Sequence, residues 1–315
     1  MRSRRGFTLV EIMIAMIMML LVGAALTRIL LNTMRVSQAQ MIQADMQGNV
    51  RTAGLVLPME LREIGYDSNI YVLPPSTATA VVSDLEAMGQ NFIQFRAARG
   101  FGILCEYDAA NLDAGNPVMW KFLKPVFGMR SVRDNDLVKL HVENNPNASF
   151  DDQWVRLTVQ AGTVDENANC GGQPAVAFRT VAGPVQVGPL AGQVLKSTAV
   201  FLGSPARWYE RVRYGPFVDG DGRTYLGLQS LSAGDNTPQP VAGPIRPGDG
   251  VQFRYFDANM ALLAPGVGPA WQVRNIEVRL IGQTRAPISK SGTSQRLASE
   301  MVTVTRVALR NTLKP

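Results

Sequence analysis

The chain has 315 residues, 46% hydrophobic and 18% charged, enough to bury one large core or two modest ones and too apolar for a disordered protein. Lys and Arg outnumber Asp and Glu by 31 to 25, but Arg2, Arg4 and Arg5 stand ahead of the first hydrophobic run, and without them the balance is 28 to 25. Bulk charge therefore gives little reason to expect a nucleic-acid or membrane-surface protein.

From Phe7 to Thr27 the sequence FTLVEIMIAMIMMLLVGAALT runs 21 positions with one charged residue, Glu11. A helix needs about 20 such residues to cross a hydrocarbon core. The basic flank RSRR predicts a cytoplasmic N-terminus, with everything after the span on the periplasmic or outer side. A secretory signal has a shorter apolar region closed by a small-residue cleavage site. Here no such site closes the run, and the helical pattern continues through Met34 and Met41. A plain signal anchor explains the span and its direction but not Glu11. A carboxylate at the centre of a membrane helix costs roughly 2.5–3.5 kcal/mol, less near the interface, and it needs a cationic partner.

Arg5, Gly6, Phe7, Thr8, Leu9, Val10 and Glu11, read as RGFTLVE ahead of an apolar stretch, resemble the class III signal of type IV prepilins. The resemblance implies that a membrane prepilin peptidase cuts between Gly6 and Phe7 and methylates Phe7, so that residues 1–6 form a leader peptide. It also implies that Glu11 is the assembly charge, pairing in a filament with the α-amine of a neighbouring subunit. The spacing suits that role. Cleavage creates a positive amine at Phe7, four residues from Glu11 on a helix, and pairing neutralises charges that would be costly alone inside a bundle of apolar helices.

Residues 7–31 form the membrane half of the expected helix. Beyond it, Met46, Val50, Ala53, Leu57, Leu61 and Ile64 recur every three or four residues and predict an amphipathic half over 32–65, its apolar stripe covering a sheet. Gly48 and Gly54 weaken this stretch and Pro58 removes a hydrogen bond to the Gly54 carbonyl, so a bend or local melting is expected over 48–58 and the helix end near Gly65. In 66–315, alternating segments predict half-buried strands at 92–96, 137–142, 154–159, 251–256, 275–281 and 301–309. Turn-rich stretches at 73–79, 235–240 and 286–293 predict loops. There is no internal repeat of fixed period. The expected architecture is α+β, a long N-terminal transmembrane and amphipathic helix packed on a β-rich periplasmic domain of antiparallel sheet, with room for a second lobe around 100–200.

Val251, Gln252, Phe253, Arg254 and Tyr255, followed by the strand at 275–281 and by RVALRN at 306–311, resemble more loosely the PilW group of minor pilins and the related J-type pseudopilins of type II secretion. By composition alone these segments are simply strands.

Cys105 and Cys170, the only cysteines, fall on the side of the membrane where oxidising conditions favour pairing, and a disulfide between them is expected, with two buried free thiols as the alternative. Such a crosslink would contribute on the order of 4 kcal/mol in the chain-entropy account. No metal or cofactor is expected: two cysteines and a single histidine, His141 in an alternating strand, do not make a zinc site. Asp219, Gly220, Asp221 and Gly222 resemble the start of a calcium loop, but that spacing needs an acidic or amide residue where Arg223 stands and a glutamate where Ser230 stands. Between the apolar alternations around Val212 and Leu228 they make a hairpin turn instead. Trp208, Tyr209, Arg211, Arg213 and Tyr214 mix aromatic and basic residues as a nucleic-acid surface would, and a strand with an exposed basic face is the simpler reading. No nucleophile elbow, phosphate loop or paired histidine and carboxylate motif occurs, so an enzyme is not expected.

The resemblance implies a structural minor pilin that takes part in the initiation or assembly of type IV pili, since the 250 residues after position 65 would crowd a filament built only from such subunits. The implied partners are the prepilin peptidase, other minor and major pilins, inner-membrane lipid and, at a filament tip, an adhesin; nucleic acid is not expected. The implied location is the inner membrane, as a single-pass protein, and then the filament. A pseudopilin of a type II secretion system carries the same signal and stays open as a reading. A DNA-binding competence pilin ranks behind both.

Overall fold

The computed structural model describes residues 9–64, 70–72, 79–81, 83–124, 130–143, 153–181, 194–266, 270–289 and 296–309. Helix α1 (Leu9–Leu61) is unbroken over 53 residues. A turn then carries the chain to Ile64, with the amides of Arg62, Glu63 and Ile64 donating to the carbonyls of Pro58, Glu60 and Leu61. The melting expected near Pro58 does not occur. Pro58 is itself buried between Leu57 and Leu61, and packing of that face offsets the one backbone bond that proline cannot make.

Strands β1 (Ile70–Val72) and β2 (Thr79–Val81) pair with each other. They are followed by β3 (Leu85–Met88), β4 (Ile93–Tyr107), the short helix α2 (Ala109–Ala114), β5 (Met119–Leu123), β6 (Leu137–Val142), β7 (Gln153–Thr158), β8 (Asn169–Cys170) and β9 (Gln173–Arg179). Next come β10 (Pro205–Val218), β11 (Thr224–Ser230), β12 (Gln239–Ala242), β13 (Val251–Phe256), β14 (Leu262–Leu263), β15 (Asn275–Gln283), β16 (Ile288–Ser289), β17 (Arg296–Leu297) and β18 (Glu300–Ala308). One sheet has ten strands, in the order β12-β11-β10-β4-β5-β9-β8, with β3 beside β4 and with β6 and β7 attached through β10. A second sheet of four runs β14-β13-β15-β18. The pairings among the described residues are antiparallel, giving a long apolar helix followed by a β-rich body. The loop expected at 73–79 lies outside the described residues up to position 78, and its last residue, Thr79, opens β2.

Two separate hydrophobic clusters fill the body. In the first, Ala53, Leu57, Leu61 and Ile64 from α1 and its following turn are enclosed by side chains from both large sheets, among them Phe95, Tyr214, Phe253 and Ile276. The second draws on residues 104–208 and centres on Trp120, Phe122, Val138, Leu157, Phe178 and Trp208. Strands β4 and β10 run through both. On β10 the even-numbered residues share one face. Along it Ala206 and Trp208 belong to the second cluster, Val212 and Tyr214 to the first, and Glu210 stands between them.

Candidate assembly helix

From Leu9 to Val36 every large apolar side chain of α1 is exposed, and the helix is long and apolar enough to cross a membrane. Glu11 lies on α1 two residues after Leu9, the first described residue. Gly6 and Phe7 lie outside the described residues. Burial begins only at Met46 and then follows the stripe read from the sequence: Met46, Val50, Ala53, Leu57 and Leu61, continued by Ile64. This half lies chiefly against β15 and β18. Gly282 of β15 makes the close approach possible, because a Cβ there would stand 2.2 Å from Val50 Cγ2. Asn49 adds a directional contact, its Nδ2 donating to the Gly243 carbonyl at 2.8 Å.

The C-terminal end of α1 is held by ions rather than by apolar contact alone. Arg99 of β4 grips Glu60 with both terminal nitrogens, at 3.0 and 3.4 Å, and its Nε donates to Glu210 Oε2 at 2.7 Å. Tyr214 Oη donates to Glu60 Oε2 at 2.9 Å. Burial by itself would lower the pKa of the Arg99 guanidinium, but the Glu60 and Glu210 carboxylates outweigh it and raise that pKa. Burial above all, with the Glu60 charge behind it, pushes the Tyr214 phenol well above its ordinary value. Glu210 receives a further bond from Ser230 Oγ. Although burial pushes its carboxyl up, the bonds from Ser230 and Arg99 leave it below the ordinary glutamate value.

The remaining sequence candidates fall elsewhere. Cys105 on β4 and Cys170 on β8 stand at disulfide distance, with Cα atoms 6.3 Å apart. Asp219–Gly222 forms the hairpin turn between β10 and β11: the Gly222 amide donates to the Asp219 carbonyl, and Gly222 takes a φ of +72 that favours glycine. Among the described residues no group of histidine, cysteine and acidic side chains could hold a metal. The stretch from Trp208 to Tyr214 lies in β10 with its aromatics buried, while Arg211 pairs with Glu86 and Arg213 covers the Phe92 ring at 4.2 Å. The interleaved stacking surface of a nucleic-acid binder is therefore absent from this strand. His141 is a β6 residue with its ring against Trp154.

The network around Arg99 was not foreseen from sequence. In the structure Glu60 is an acid in the last turn of a helix whose last turn holds no basic residue, against the sense of the helix dipole, but with the helix expected to run to Gly65 nothing in the sequence marked it.

Residues 1–27 match the family model described as the prokaryotic N-terminal methylation motif. Comparison with curated proteins and with solved structures finds no match.

Proposed function

We propose that this chain is a type IV pilin-like subunit, cleaved by prepilin peptidase between Gly6 and Phe7, methylated at Phe7 and packed into a filament through α1. The observation that carries this reading is the methylation motif at 1–27, continuous with a helix that has no buried side chain among its described residues before Met46. The motif supports a type IV pilin-like protein, processing by prepilin peptidase and assembly with other pilins, and its family is structural rather than enzymatic. The apolar helix near the N-terminus fits a membrane-anchored pilin. Within that class the chain is read as a minor pilin of the PilW group, its N-terminus cytoplasmic and its body periplasmic, acting in low copy at the start or tip of a pilus. Within the amphipathic half of the helix, 32–65, the stripe that starts at Met46 docks it on the body, the second cluster forms a lobe of its own, and Cys105 and Cys170 are joined on export. Glu11 pairs with the Phe7 α-amine of the adjacent subunit. Type II secretion pseudopilins share the motif; recovery with pilus subunits or with secretion components separates the two.

Mass spectrometry of membrane-extracted protein from a host with an active prepilin peptidase is expected to find methylated Phe7 at the N-terminus. Recovery of only chains that begin at Met1 would exclude the reading. Glu11→Ala is expected to leave processing and membrane insertion intact and to impair incorporation into filaments, because the carboxylate matters only where subunits meet. Incorporation at the wild-type level would remove Glu11 from assembly.

A further inference from the structure

Glu60 lies in the last turn of α1, where backbone carbonyls repel anions, so its position there needs a reason. Arg99 supplies it through an irregularity of β4. Tyr209 pairs with Ala98 and Trp208 with Gly100, which leaves Arg99 as the extra residue of a β-bulge, and a bulge re-aims the side chain it carries. The backbone of Arg99 is anchored as well, its carbonyl accepting from the Arg130 amide at 3.1 Å. From Arg99 the contacts spread in two directions. Glu60 and Tyr214 lead into the helix end and the first cluster. Glu210 leads to Ser230 of β11 and, at 3.7 Å, to Arg130, whose guanidinium is held by Asp136 at 3.0 Å. Asp136 directly precedes β6, a strand of the second cluster. The ions thus occupy the seam between the two apolar clusters, and the end of α1, itself part of the first cluster, is fastened there.

We propose that Arg99 is a positioning residue, a latch that fixes the C-terminal end of α1 to this seam and couples a displacement of the second cluster to the helix. A stack of apolar contacts tolerates sliding, whereas the planar guanidinium fork holds a carboxylate in one orientation. The latch belongs to the isolated chain and does not rest on the filament reading.

Hydrogen exchange of the full-length chain in detergent, read by mass spectrometry, tests it. Arg99→Gln is expected to speed exchange at least tenfold in peptides within 56–64, while peptides from β13 and β15 and from β7 keep wild-type rates. Arg99→Lys, which keeps the charge but loses the fork, should fall between. Glu60→Gln should reproduce the effect of Arg99→Gln, and the double variant should add nothing, as expected of two residues acting through one contact. Arg130→Gln, whose side-chain contacts are Asp136 and Glu210, should also raise exchange within 56–64. Should Arg99→Gln fail to fold, Glu60→Gln carries the same comparison with the Arg99–Glu210 pair left in place. Unchanged exchange within 56–64, or an equal rise through both clusters, would overturn the latch; silence of Arg130→Gln at the helix end would overturn the coupling.

Discussion

Gly282 and Val50 meet where helix and sheet come closest, and Val50 is β-branched, with little freedom to turn aside in a helix. Gly282→Ala is therefore expected to lower stability by about 1–3 kcal/mol, the usual range for overpacking, and Val50→Ala in the same chain to recover part of the loss. Urea unfolding of the detergent-solubilised chain measures both. Glu210 gives a pH signature. Its carboxyl titrates below the usual 4.5, so it contributes stability that is present above that value and lost as pH falls through its folded pKa. Wild type should exceed Glu210→Gln in stability at neutral pH, and the gap should close in acid below pH 4.5. A gap independent of pH would mean that the ionised form is not what matters. These residues were unequally legible in the sequence. Neither Glu60 nor its partner could be picked out, because the helix end at Leu61 is known only from the structure and a bulge is set by the pairing of two strands.

At the level of elements, periodicity decided what could be read. The stripe from Met46 to Ile64 was legible because one face of α1 is buried and the other is not. The strands at 137–142 and 251–256 were found at their observed limits, while the segment read at 92–96 is only the beginning of β4, which continues to Tyr107. Alternation fails there at the bulge, and Gly100 and Gly102 remove the side chains that would have restored it. In β9 the four residues from Ala175 to Phe178 are buried in succession, so no period of two exists to detect. Cys105 and Cys170 stand at disulfide distance, and a bond between them would tie β4 to β8, the last strand on its side of the ten-stranded sheet. Cys105→Ala with Cys170→Ala is expected to lose about 4 kcal/mol in the chain-entropy account. Thermal unfolding against natively exported wild type reads the difference. Two alkylatable thiols in that wild type would remove the bond itself.

Taken whole, the molecule divides at Met46 into a helix that the body does not touch with buried side chains and a helix that is part of its core. A chain starting at Ile42 keeps every buried residue of α1 and should be soluble and folded without detergent. One starting at Gly65 lacks Leu57, Leu61 and Ile64, each worth about 1.5–3 kcal/mol on burial, against a total stability that is commonly about 5–15 kcal/mol. That shorter chain is expected to be insoluble or molten by near-ultraviolet circular dichroism. A folded, soluble body beginning at Gly65 would show that the helix is an attachment and not a core element.

Phe101 and Arg207 are register partners on β4 and β10, so the chain leaves the helix-bearing half of the body and returns to it at adjacent points. Trp120, Trp154 and both cysteines lie in the sequence between them, and the described residues there also reach back across the seam, Arg130 to Glu210 and Lys139 to Asp84. Such an arrangement is modular in the manner of a socket: a shorter turn, or an unrelated folded insert whose ends lie side by side, could replace the strands of the second cluster without redirecting β12, β15 or β18, which lie against α1. The strands that hold α1, β15 and β18 chief among them, are thus topologically separate from the residues between Phe101 and Arg207.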